Sequence, residues 1–128
     1  MNLVVLSGRL SKEPTLDYLP PKGIAVSTFD IAVEKEGSKD DDKADFFTIQ
    51  CWDKLAEIVA NNLSIGRKIL VYGYLKSNIW NDKNSKTQKK ILVVSKRIEF
   101  LDYPKVNENE LYMFVPTDMS LVEGETPF

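Results

Sequence analysis

Histidine is missing from this chain of 128 residues, and cysteine occurs once, as Cys51. Those two gaps remove Cys-His nucleophilic catalysis and the usual zinc ligand sets. A single cysteine also excludes an internal disulfide framework and suits a reducing compartment. No Gly-rich phosphate loop precedes a helical stretch, and no G-x-S-x-G elbow occurs. Asp40, Asp41 and Asp42 are adjacent, but they lack the turn glycine and closing glutamate of a calcium loop and read as a solvated hairpin tip. Apolar runs are only a few residues long, too short to span a bilayer. The first residues carry neither the basic start nor the small-residue cleavage site of a signal peptide. The expectation is a soluble, cytoplasmic protein without catalytic residues, metal or cofactor.

What is present is ordinary globular composition, 43% hydrophobic and 28% charged, in a length that suits one domain. The net charge of −2 conceals a division. Residues 1–101 hold 16 Lys+Arg against 13 Asp+Glu, a balance of +3. Residues 102–128 hold Lys105 against six acids, a balance of −5. Within residues 67–97 nine basic residues face one acid, Asp82. Lysine-rich hairpins also solubilise β-proteins, so the charge alone fits either a polyanion footprint with an acidic appendage or plain solubility. We therefore divide the chain into a domain over 1–101 and an acidic tail over 102–128.

Residues 3–10 predict a first strand, in which Gly8 invites a bulge or sharp bend. Pro20-Pro21-Lys22-Gly23 is turn punctuation. Residues 26–33 alternate, with Ser27, Phe29, Ile31 and Val33 on the more apolar face. A polar loop follows over 37–43, then a third strand over 46–52. Asp53 is a candidate N-cap for a helix over 54–63, where Leu55, Ile58, Val59 and Leu63 fall at helical spacing and Gly66 lies past the end. Strand character resumes at 67–76 and runs on to Trp80, a polar tip occupies 81–87, and a fifth strand covers 90–101. The order β-β-β-α-β-β predicts an all-β fold, a five-stranded Greek-key OB barrel with one helix between strands three and four.

The aromatics carry the chemistry. Phe46 and Trp52 bracket the third strand, Trp80 stands beside a hairpin tip, and Tyr72 and Tyr74 share one face of the fourth strand. Lys54, Lys76, Lys83 and Lys86 flank them. Flat rings interleaved with lysines form a platform on which bases stack while phosphates are neutralised. Each ring also has a structural reading. Phe29, Phe47 and Phe100 are assigned to the core. Tyr72 and Tyr74 suit half-buried barrel positions too, and Trp52 suits a residue sealing the barrel end. Trp80, among Asn78, Asn81 and Asp82, has little core within reach and is the strongest functional candidate.

These residues also carry a resemblance. Residues 1–10 with Glu13-Pro14, residues 45–57, and Val71-Tyr72-Gly73-Tyr74-Leu75-Lys76-Ser77 resemble bacterial and phage single-stranded DNA-binding proteins, in order and at matching spacing. The resemblance implies an OB fold, usually a homotetramer, that coats single-stranded DNA in replication, recombination or repair without sequence preference or cofactor. It places stacking aromatics at Phe46, Trp52 and Trp80 and basic contacts at Arg9 and Lys76, with Lys54 after the matched tryptophan. A further stacking position of some members falls near Gly37, where this chain offers no aromatic. Glu123, Glu125, Pro127 and Phe128 look like the family's acidic Pro-Phe tip, which implies docking of genome-maintenance proteins. Tyr112-Met113-Phe114-Val115 makes the linker more apolar than usual and suggests packing on the barrel or on a neighbouring chain. Two rival classes are an OB-fold module for RNA or protein, and a barrel nuclease built on Asp/Glu.

Overall fold

The computed structural model describes residues 1–37 and 43–102. Six strands and one helix follow in the order β1 (Val4–Leu10), β2 (Asp17–Leu19), β3 (Ile24–Glu34), β4 (Ala44–Trp52), α1 (Asp53–Asn62), β5 (Lys68–Asn81) and β6 (Thr87–Phe100). Five of the strands form a ring, β1-β5-β6-β4-β3, closed where β1 meets β3 at Arg9↔Ala32 and Leu10↔Ile31. This is the five-stranded OB-type barrel that the element order predicts, with the helix after the third ring strand. The extra strand, β2, pairs along Ile24–Val26 of β3 and has no buried residue. No helix of the described residues is long and apolar enough to cross a membrane.

Strand alternation builds the core. Phe29 and Ile31 of β3, Ile49 and Cys51 of β4, Ile69 and Val71 of β5, and Val93 and Ile98 of β6 all point inward and are buried. α1 closes one end with Leu55, Ala56 and Val59. Its start differs from expectation. Trp52, not Asp53, is the extended N-cap residue, and it makes no side-chain capping bond. Asp53 is the first helical residue, at φ 59°, where its carboxylate still suits the positive end of the helix dipole.

Close packing of strands explains two glycines. A Cβ on Gly73 would lie 1.9 Å from the Val94 carbonyl oxygen, and one on Gly8 would lie 2.4 Å from that of Ala32. Gly8 therefore lets β1 press onto β3 at the barrel seam. The bulge sits at Gly73 instead, where Tyr72 pairs with Arg97 but Gly73 pairs with Ser95. Beyond it, β5 and β6 run on together to Asn81↔Thr87 as a long arm.

Candidate nucleic-acid interface

The outer face of the sheet is set by register. On β3 and β4 the pairs Val26↔Trp52, Thr28↔Gln50, Asp30↔Thr48 and Ala32↔Phe46 put Phe46 and Trp52 on the side away from the core. β6 runs parallel to β4, with Gln50 opposite Val94, and β5 continues the row with Tyr74↔Val94, Lys76↔Leu92, Asn78↔Lys90 and Trp80↔Gln88. Phe46, Trp52, Tyr74, Lys76 and Trp80 thus share one surface spanning four strands. Only Ile49↔Val93 and Gln50↔Val94 join β4 to β6, so the arm leaves the barrel past that junction. Phe46 and Trp80 lie on the same side of it, and Trp52 on the other.

Burial divides these rings. Phe46 is 66% exposed and Trp80 is 48% exposed. Trp52 is 4% exposed, packed with Val26, Leu92 and Val94 and backed by Ile24 and Tyr74 in a second apolar cluster separate from the barrel core. Its Nε1 donates to Gln50 Oε1 at 3.0 Å, which satisfies the one polar atom of the indole. Tyr74 is half-buried, with Lys96 Nζ 5.9 Å from its ring centroid, a cation–π distance.

The arm's tip is ordered by the lone acid of its basic stretch. Asp82 accepts from the backbone N–H of Asn84 at 2.9 Å and of Lys86 at 3.0 Å, and from Gln88 Nε2 at 2.9 Å. The Lys86 N–H above all, then those of Asn84 and Gln88, outweigh slight desolvation and hold its carboxyl below the usual range. Lys83 and Lys86 are exposed around this turn, beside Trp80. Among the described residues no group of three or more His, Cys, Asp or Glu side chains could hold a metal ion.

A sequence profile described as "Single-strand binding protein family" matches residues 1–101. The chain belongs to this family. Single-stranded DNA-binding protein 3 of Clostridium acetobutylicum is 35% identical over 112 residues, covering 87% of this chain and 78% of that protein. Single-stranded DNA-binding protein 2 of the same organism is 35% identical over 133 residues, covering all of both. Single-stranded DNA-binding protein 2 of Listeria monocytogenes is 39% identical over 112 residues, covering 86% of this chain and 69% of that protein. These relatives are named as DNA-binding proteins, not as enzymes.

Against what membership in the single-strand binding protein family leads one to expect, the site residues do not all share one open surface. Phe46 on β4 and Trp80, Lys76, Lys83 and Lys86 on the arm all lie on the arm side of the β4–β6 junction. Trp52 belongs to that face by register, but in this chain its ring is covered and offers no surface for stacking. Lys54 is exposed in the first turn of α1, at the Trp52 end. Tyr72 is exposed but stands opposite Val5 and Arg97, toward β1. Arg9 lies on β1 in one cross-strand row with Ala32 and Phe46. Phe47, expected in the core, is 36% exposed, because it precedes the short stretch where β4 gains β6 as a neighbour. Lys90 was passed over among the nine basic residues, yet it is exposed on the same face beside Lys76 and Trp80. Counting alternation back from Leu92 would have found it. Glu123, Glu125, Pro127 and Phe128, residues 38–42 and the stretch 112–115 lie outside the described residues.

Proposed function

We propose that this chain binds single-stranded DNA without sequence preference, by stacking bases on Trp80 and Phe46 while lysines neutralise the phosphates. The observation that carries the reading is two large, exposed rings on one side of one sheet, with Lys76, Lys83, Lys86 and Lys90 around them. Every base has a π-face, so a ring platform accepts any sequence. The relatives' names agree with this reading. Arg9, Lys54, Tyr74 and Trp52 serve the same strand in this proposal, Trp52 mainly by holding the sheet that presents the others.

The test is titration with oligo-dT while indole emission is followed. Of the two tryptophans only Trp80 has an open ring, so quenching is assigned to Trp80, and Trp80→Ala should keep emission but lose the response to DNA. Equal binding by the Trp80→Ala protein would sink the site. Tighter binding to RNA of equal length would favour the RNA-module reading, and metal-dependent loss of substrate the nuclease.

The cellular role proposed is coating of single strands in replication, recombination or repair, in the cytoplasm at the nucleoid. The tail residues Glu123, Glu125, Pro127 and Phe128 would dock partner proteins, since a terminal ring backed by carboxylates suits an apolar pocket ringed by Lys and Arg. A homotetramer is proposed as the working assembly. In its support, Leu3, Val5 and Tyr72 form an exposed apolar strip across β1 and β5, and β1 pairs with β3 only at Arg9 and Leu10. Sedimentation should give four copies, and a monomer at micromolar concentration would refute the assembly.

A further inference from the structure

Between β1 and the β3–β4 hairpin the barrel seam opens into a cleft of about 370 Å³ lined by Arg9, Lys43 and Lys68, with Glu34 as the one acid among the described residues of its wall. Its floor includes Gly8 and Ala32, the point where the two strands touch. Ala32 is the cross-strand neighbour of Phe46, so the cleft begins one strand away from an exposed ring. We propose that this cleft is a phosphate subsite, taking a phosphodiester next to the base on Phe46, with Asp102 as its internal stand-in. The proposal rests on the reading that single-stranded DNA lies along the ring platform.

Asp102 fills the role of resident anion at the cleft's edge. Its carboxylate accepts from Arg67 Nε at 3.2 Å, from the Lys68 backbone N–H at 3.0 Å and from Arg9 Nη1 at 3.4 Å, while Arg67 also donates to its carbonyl at 3.1 Å. Desolvation pushes its carboxyl up, but the Lys68 N–H and the Arg67 and Arg9 charges outweigh that and keep it below the usual range. The three holds are unequal. The Arg67 side chain is 14% exposed and doubly bonded, whereas that of Arg9 is 59% exposed and joined by the longest contact. Arg9 Nη1 also donates to the Gly66 carbonyl at 2.9 Å, which keeps the guanidinium beside the cleft, and its other N–H groups can take a phosphate while Arg67 and Lys68 retain Asp102. An exposed ion pair of this kind contributes little on its own, so exchanging its carboxylate for a phosphate costs little.

The experiment compares the full-length wild type with Arg9→Gln, Lys43→Gln, Asp102→Asn and Trp80→Ala. Each binds a labelled oligo-dT across a series of salt concentrations. Losing one phosphate contact should flatten the plot of log K against log salt by about 0.7 for a single strand. Arg9→Gln and Lys43→Gln are each expected to do so, and Trp80→Ala to weaken binding with the slope unchanged. Asp102→Asn should tighten binding severalfold at low salt, and Arg9→Gln should cancel that gain in the double variant. Lys43 stands outside the Asp102 clasp, so its variant remains informative if Asp102→Asn unfolds. Wild-type slopes in both Arg9→Gln and Lys43→Gln, with Trp80→Ala still weakened, overturn the subsite and leave the DNA reading standing. Failure of the wild type to bind oligo-dT overturns both.

Discussion

Trp52 and Trp80 occupy one face of one curved sheet, yet the first is 4% exposed and the second 48%. The difference lies in what flanks them. Around Trp52, at the barrel end of the face, the cover is an apolar cluster of Val26, Leu92, Val94 and Ile24 with Tyr74, and Gln50 takes the indole N–H. Around Trp80 the cross-strand partner is Gln88, the adjoining pairs are Ile79↔Lys89 and Asn81↔Thr87, and the next pair on the same face is Asn78↔Lys90. The same side chain is therefore a second core in one place and an open ring in the other. A face can serve stability at one end and recognition at the other, and the pairing residues decide which.

The largest expected effect separates these roles. Trp52→Ala should cost about 3–5 kcal/mol of folding stability, the range for emptying a packed aromatic site. Urea unfolding measures it, and a loss below about 1 kcal/mol would break the comparison, since surface changes stay near that scale. Trp80→Ala should do the reverse. Its unfolding midpoint stays close to wild type, while oligo-dT affinity falls by about 1–3 kcal/mol, between about fivefold and about 150-fold. Phe46→Ala belongs with Trp80 but nearer the lower figure, because a phenyl offers less stacking area than an indole.

How far the sequence reveals this depends on the range of the interaction. Alternation over 26–33 and the helical spacing of Leu55 and Val59 locate the core, because those signals are local and periodic. Trp80 is legible for the same reason, standing in a polar stretch. Trp52 is not, since its cover comes from Val26 and from Leu92 and Val94 far along the chain. β2 escapes detection because three exposed residues carry no apolar period. The Asp102 clasp joins residues 93 positions apart at Arg9, beyond any spacing rule. Asp82 is visible as a lone acid, but its use as a turn clamp emerges only from the hydrogen bonds it accepts.

Cys51 sharpens the contrast from the other side of β4. It lies next to Trp52 but faces inward, fully buried, and burial pushes its thiol up to about 12 despite a side-chain hydrogen bond with Ser95 that lowers it. A thiol with so high a value stays protonated and unreactive near neutral pH. Native protein should therefore resist a thiol reagent until it unfolds. Trp52→Ala should speed labelling by loosening β4, and Trp80→Ala should not. Labelling at equal rates in both variants would mean that the two ends of the face are not energetically distinct.

The smallest expected effect concerns the arm alone. Asp82 holds its tip as an ionised carboxylate, and its pKa is lowered in the fold, chiefly by the Lys86 N–H. A depressed carboxylate contributes above its unfolded value, about 3.9, and that contribution is lost as pH falls through the folded value. Protection of the Lys86 and Asn84 amides, measured as exchange relative to the intrinsic rate at each pH, should therefore be high at neutral pH and fall in acid before the barrel unfolds. Asp82→Ala should quicken the same two amides at neutral pH, lower oligo-dT affinity by less than Phe46→Ala, and leave the unfolding midpoint unchanged. A shifted midpoint would tie the tip to the barrel and merge the two regions into one cooperative unit; an unchanged one keeps the arm as a separately ordered extension that carries Trp80 away from the core.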